Sequence, residues 1–264
     1  MDIPRVEWAF TSRPPVITGE EVHIWRIDLS DTPNVKPELF NLLSADERQR
    51  ADKFHFEKDR SRFIIRRAIL RMLLGEYLNA PPGELGFIYN NFDKPSLAFN
   101  TEIYFNASSS NNVGIVAIML NARIGIDVEL IDAQFPKLEI AERYFSTDEV
   151  RAIHDLQPEL QTAVFFDCWT KKEAFVKAVG DGMSHPLPNM VISSEKWASF
   201  LVNATSVETE GWNVTSFIPE KNYIASLAYE GKERSALFFD WSDKWSDGDD
   251  FISLLNSNVM SGLI

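Results

Sequence analysis

A duplicated helix start constrains this chain more than any other feature. Ser44-Ala45-Asp46-Glu47 leads through a polar stretch into RFIIRRAILRMLLG, ending at Gly75. About a hundred residues later Ser146-Thr147-Asp148-Glu149 leads through another into FFDCWTKKEAFVKAVG, ending at Gly180. Both starts are S-x-D-E, the capping-box pattern in which serine and glutamate reciprocally satisfy the first backbone donors of a helix. A glycine after each periodic run supplies a helix stop. Strand-like segments precede both helical parts: Glu21 to Leu29 and Arg123 to Ile131 alternate apolar with polar residues. Ile103 to Leu120 and Tyr223 to Phe239 add runs rich in β-branched and aromatic residues. The expectation is an α+β fold of two similar, pseudo-repeated subdomains, 1–120 and 121–264, with a ligand cleft between them.

A chain of 264 residues, 45% of them hydrophobic, can bury a sizeable core. The start, MDIPRVEWAF, carries acidic residues and proline where a secretory signal needs an apolar run. The longest apolar stretch, Val113 to Leu120, falls far short of the roughly 20 residues that span a bilayer. A single cysteine, Cys168, makes no internal disulfide and suits a reducing compartment. A cytoplasmic monomer is expected, with no membrane partner. The formal charge of −13 argues against a nucleic-acid partner, which would call for a basic surface.

Charge is unevenly spread, however. Between Ser44 and Gly75, Arg48, Arg50, Lys53, Lys58, Arg60, Arg62, Arg66, Arg67 and Arg71 outnumber the acids. Either an anion docks there or a long helix carries mixed charges in i,i+4 pairs. The acidic stretch from Asp240 to Asp250, with Trp241 and Trp245 embedded, reads as a peripheral tail.

Two motifs carry chemistry. In Gly125-Ile126-Asp127-Val128-Glu129 the strand period puts Ile124, Ile126, Val128 and Leu130 on one face and projects Asp127 and Glu129 together from the other. Paired carboxylates suit a hard cation such as Mg²⁺, though an ordinary solvated strand face reads the same way. In the second motif, Trp169, Glu173 and Lys177 stand at i, i+4 and i+8 on one helical stripe. Glu173 is then placed to complete a metal site and Lys177 to hold a phosphate; the plain alternative is a surface Glu-to-Lys pair.

Taken together and in this order, Gly125 to Glu129 and Trp169 to Lys177 resemble the double signature of Sfp-type 4'-phosphopantetheinyl transferases. Phe92-Asp93-Lys94-Pro95 looks like that family's G-K-P element. The resemblance runs from about Ser44 to Leu187, and the family's fold, a pair of similar α+β subdomains, agrees with the internal repeat.

The resemblance implies transfer of phosphopantetheine from coenzyme A to a serine of an acyl or peptidyl carrier protein, releasing 3',5'-adenosine bisphosphate. It implies Mg²⁺ held by Asp127, Glu129 and Glu173 against the pyrophosphate, with Asp127, Glu173 and Lys177 as the catalytic set. Lys172 and Lys177 then pair with phosphates, and Arg62, helped by Arg48 or Arg50, binds the 3'-phosphate. Lys94 and Pro95 fall at the nucleotide, and a loop from Ala107 to Ser110, with Ser108 and Ser109, passes beside the phosphates. Glu173, or a metal-bound water held by the carboxylates, takes the serine proton.

One departure stands out. The family's F-N-x-S-H-S element appears here as Phe105-Asn106-Ala107-Ser108-Ser109-Ser110, with Ser109 in the place of a phosphate-contacting histidine. A lost charge-assisted hydrogen bond is worth about 1.5 to 3 kcal/mol, or roughly ten- to a hundredfold in binding. A catalytically weakened homologue that binds coenzyme A or carrier proteins without efficient transfer is therefore the alternative reading. A P-loop nucleotidase is excluded by the lack of any G-x-x-x-x-G-K-S/T. A two-carboxylate glycosidase is disfavoured because Asp127 and Glu129 share one strand face.

Overall fold

The computed structural model describes residues 3–11, 13–30, 35–180 and 211–241. In chain order these form β1 (Ala9–Phe10), β2 (Glu21–Asp28), α1 (Pro37–Leu42), α2 (Ala45–Ala51), α3 (Glu57–Leu78), β3 (Phe87–Tyr89), β4 (Pro95–Leu97), β5 (Ile103–Ser110) and β6 (Val113–Leu120). The second half supplies β7 (Ile124–Leu130), α4 (Lys137–Tyr144), α5 (Thr147–His154), α6 (Pro158–Val179), β8 (Trp212–Phe217), β9 (Tyr223–Glu230) and β10 (Ser235–Trp241). The class is α+β, as the sequence pattern predicts.

Both capping boxes form, at Ser44 with Glu47 and at Ser146 with Glu149. Each starts a short helix of its own, α2 or α5, and a separate 22-residue helix follows, α3 or α6. The glutamate of each box is buried and meets a cation of the long helix that follows. Glu47 takes Arg67 and Arg71, and Glu149 takes Lys172. The repeat is thus physical: one device docks a short helix onto a long one in both halves.

Gly180 ends α6 with φ +93, a left-handed conformation that glycine adopts without a Cβ penalty. Gly75 does not end α3. The helix continues to Leu78 and stops at left-handed Asn79, while a Cβ at Gly75 would sit 2.8 Å from the Ala80 carbonyl oxygen. Glycine is required there because the chain folds back onto the helix.

The first sheet has the order β1-β10-β2-β6-β5 and the second β7-β9-β8, with β3 and β4 forming a small hairpin. Trp25, Ile27, Val116 and Ile118 on one face of the first sheet pack against Ile69, Leu70, Leu73 and Leu74 of α3. Its other face, with Val22, Ile24, Ile115 and Ala117, packs on Ile124, Ile126, Val128 and Leu227 of the second sheet. Phe175, Ala174 and Ala178 of α6 cover the far side of that second sheet. The layers run α3, sheet, sheet, α6.

The proposed division between Leu120 and Asn121 falls between β6 and β7, and β10 crosses it to pair in parallel with β2. Asp240 and Trp241 accordingly lie in β10 instead of a peripheral tail. Trp241 is buried in the core, and Asp240 pairs with Arg26. The remainder of that acidic stretch, with Trp245, lies outside the described residues. Among the described residues no helix is long and apolar enough to cross a membrane.

Candidate active site

The two sheets meet where β5 runs beside β7. Side chains bridge them: Asn106 Oδ1 accepts from the Ile126 amide at 2.9 Å and Ser110 Oγ from the Leu130 amide at 3.1 Å. These residues and Ser108 recur at every second position of β5, so one face of that strand is turned to β7. The expected loop from Ala107 to Ser110 is therefore strand, laddered to β6 with Ala107 opposite Val116 and Ser110 opposite Val113.

Gly125 lets α6 lie directly on β7. A Cβ there would run into the Ala174 carbonyl and the Ala178 amide. Because Gly125, Asp127 and Glu129 share a strand face, this approach brings Glu173 and Lys177 onto the two carboxylates. Asp127 is only 2% exposed, which disposes of the solvated-face reading. Its Oδ1 accepts from Lys177 Nζ at 2.5 Å and from Ser108 Oγ at 2.9 Å, and Lys177 Nζ also reaches Ser108 Oγ at 3.1 Å. Asp127 Oδ2 is buried without a partner. Glu129 Oε2 accepts from Ser110 Oγ at 2.8 Å.

Electrostatics show that these groups feel one another. Burial, then the charge of Asp127, pushes the Glu129 carboxyl up to about 6. Burial also raises Glu173, partly offset by Lys177. Burial opposes the Lys177 ammonium, but Asp127, Glu173 and Glu129 outweigh it and hold the group above an ordinary lysine. Excess negative charge around a buried, unpartnered carboxylate oxygen fits a hard divalent cation. Among the described residues no three acidic, imidazole or thiol side chains close around one point. Mg²⁺ is a cation of that kind, since it characteristically takes one or two carboxylates and completes its shell with water and substrate phosphates.

Beside this constellation lies a cleft of about 250 Å³ whose lining includes Arg50, Arg66, Arg67, Pro95 and Ser108. Of the other predicted residues, Arg62 donates to Asn111 and Asn112 in the β5–β6 turn. Ser109 accepts from Arg66. Arg48 is turned onto α1, donating to the Asn41 carbonyl over the Phe40 ring. Lys94 donates to the Ile124 and Ala178 carbonyls at 3.2 and 2.9 Å, tying the start of β7 to the end of α6, and burial pushes it down to about 8.

Lys172 is not brought to the site. It is fully buried, 3.0 Å from Glu149 and over the Phe145 ring, on the side of α6 away from Lys177. The neighbouring Lys171 is equally buried, against Asp167 at 2.7 Å. Trp169 stacks on Phe165, and Phe175 and Val176 are core. Cys168 is buried and its thiol is pushed up to about 12 by that burial, so it takes no part in the chemistry. Sequence reasoning counted Arg66 and Arg67 only as charge; two adjacent arginines in the otherwise apolar run FIIRRAIL were the available signal.

Residues 123–228 match the model of the 4'-phosphopantetheinyl transferase superfamily. Residues 30–120 match that of the 4'-phosphopantetheinyl transferase N-terminal region. The chain is 32% identical over 238 residues to the 4'-phosphopantetheinyl transferase HetI of a Nostoc species, covering 88% of this chain and 95% of that protein. It is 34% identical over 177 residues to a putative 4'-phosphopantetheinyl transferase of Synechocystis, covering 66% and 72%. To the transferase Sfp of Bacillus subtilis it is 26% identical over 154 residues, covering 58% of this chain and 67% of that one.

Proposed function

This chain belongs to the 4'-phosphopantetheinyl transferase family, and from that premise we propose how its own residues perform the reaction. The activity is transfer of the phosphopantetheine group of coenzyme A to a carrier protein. The relatives are named as transferases, which leaves the weakened-binder reading without support.

The observation that carries the mechanism is the contact of half-buried Lys177 and Ser108 with buried Asp127, at the edge of an arginine-lined cleft. A carrier serine hydroxyl attacks the β-phosphorus; the new P–O bond forms as the pyrophosphate bridge breaks, and 3',5'-adenosine bisphosphate leaves. Charge grows on the bridging and non-bridging oxygens, so positioned cations supply most of the rate. Lys177, kept charged by three carboxylates, faces that charge directly. Asp127 and Ser108 fix where its ammonium points. Glu173, whose carboxyl burial makes more basic, accepts the serine proton. Of the three carboxylates expected from the sequence, Asp127, with its unpartnered Oδ2, and Glu129 would hold Mg²⁺, which when bound would neutralise the pyrophosphate, while Glu173 is left to act as the base. Arg50 and Arg62 bring further cations to the nucleotide phosphates. The negative overall charge and the lone buried cysteine support a cytoplasmic monomer that needs neither nucleic acid nor membrane.

The test is the mass of a carrier protein after incubation with coenzyme A, with Mg²⁺ or with a chelator. Modification should require the metal. Asp127→Asn should slow it at least about a hundredfold, in the range seen when one preorganised electrostatic group is removed. A variant as fast as the parent chain would remove the mechanism.

A further inference from the structure

The α3 side of the cleft holds a charge that the mechanism above does not use. Arg66 reaches across to β5, where its guanidinium donates to the Ser109 hydroxyl. Its Nε is buried without a hydrogen-bond partner. Neighbouring cations have other arrangements: Arg67 and Arg71 share Glu47, Arg62 meets two neutral asparagines, and Arg50 lies over the Phe63 ring. Among the described residues, no carboxylate pairs with Arg66, Arg62 or Arg50. Burial first, and then the charges of Arg50, Arg67 and Arg62, disfavour the Arg66 cation.

A half-buried guanidinium with a buried, unpartnered Nε and like charges beside it is costly unless something anionic compensates it. The chain carries 39 acidic residues against 26 basic ones, yet among the described residues none is spent here. The compensating group therefore comes from a ligand in the cleft that Arg50 and Arg66 both line.

The strand period says which part of a ligand that is. Ser108 points to Asp127 and Lys177, whereas the next residue, Ser109, points to the opposite face of β5 and to Arg66. The anion at Arg66 is thus separated by a strand from the reacting phosphate. Coenzyme A carries one such remote anion, the phosphate on its ribose.

We propose that Arg66, oriented by Ser109 and flanked by Arg50, binds the 3'-phosphate of coenzyme A and so sets the preference for coenzyme A over its 3'-dephospho form. This rests on the transferase reading. It also accounts for Ser109: the cation at this point comes from α3, and a short hydroxyl is what leaves room for it.

The experiment compares steady-state transfer from coenzyme A and from 3'-dephospho-coenzyme A by the parent chain, Arg66→Gln and Arg66→Lys, with melting temperatures alongside. Arg66→Gln should raise KM for coenzyme A by about ten- to a hundredfold, the worth of one charge-assisted contact. It should leave kcat, and KM for the dephospho substrate, within about twofold, because the contact is made equally in ground and transition states. Arg66→Lys should recover part of the loss. If Arg66→Gln does not fold, Ser109→Ala is the second variant, and it should raise KM for coenzyme A alone. Equal losses with both substrates, or no loss with either, overturn the role of Arg66 while the enzyme stands. Failure of the parent chain to modify any carrier removes the transferase reading, and this proposal with it.

Discussion

Replacing Gly125 by alanine should uncouple the two halves of the active site while leaving every polar residue of it in place. The added Cβ would lie inside contact distance of the Ala174 carbonyl oxygen and the Ala178 amide, and 3.0 Å from Ala178 Cα. These are backbone atoms of α6, so no side-chain rotation relieves the clash. Recovering an ordinary separation of about 3.5 Å forces α6 to retreat by about 1 Å or more. Glu173 and Lys177 flank the contact point, and the 2.5 Å bond from Lys177 to Asp127 stretches to the limit of a hydrogen bond. Misplacement on that scale costs about a hundredfold in rate. Overpacking costs about 1 to 3 kcal/mol of stability, which for a chain of this size lowers the melting temperature by roughly 2 to 12 °C. The assay is carrier modification under saturating coenzyme A, paired with thermal unfolding. Gly83→Ala is the control, since nothing lies within 4 Å of a Cβ there. Transfer by Gly125→Ala within about threefold of the parent chain, with unchanged melting, would refute the reasoning that this glycine seats α6 on β7.

Lys172→Met should destabilise the fold by about 3 to 5 kcal/mol, because it strands buried Glu149 without its cation; thermal unfolding checks this, and KM for coenzyme A of the folded fraction should not move. Ser109→His should give no gain in coenzyme A binding, because Arg66 already occupies that face. The ring crowds the guanidinium, so KM should be unchanged or worse at pH 8, where the imidazole is neutral, and tighter binding there would contradict this. Glu129 has a folded-state pKa raised to about 6, so its favourable contribution to stability is present at low pH and lost as pH rises through 6. Glu129→Gln removes that loss. Without added metal the variant should melt above the parent chain at pH 7 to 8, with the difference closing below about pH 5, where both forms are neutral.

Much of this protein was legible in local pattern. The two capping boxes, the period-2 face carrying Asp127 and Glu129, and the helical stripe of Glu173 and Lys177 each depend on residues a few positions apart, and backbone periodicity alone decides them. Gly125 was visible only as a motif letter; its necessity comes from a helix that lies about fifty residues further along the chain. Lys172 shows the limit of the same logic. It lies one position before Glu173, which rotates it about 100° around the helix, and what it meets there is decided by where α5 docks, through Glu149.

Gly75 and the first two residues of the acidic stretch, Asp240 and Trp241, were misread for a related reason. A glycine that ends a helix and one that admits a neighbouring carbonyl look alike in sequence, and Asp240 and Trp241 become strand only because β2 offers them an edge. The pairing of Arg66 with Ser109 spans 43 residues and two elements. The sequence by itself determined which side chains carry charge and on which face of its own element each stands. Tertiary packing decided which of those charges are neutralised in the core and which are left facing the cleft, because desolvation and pairing depend on neighbours far along the chain.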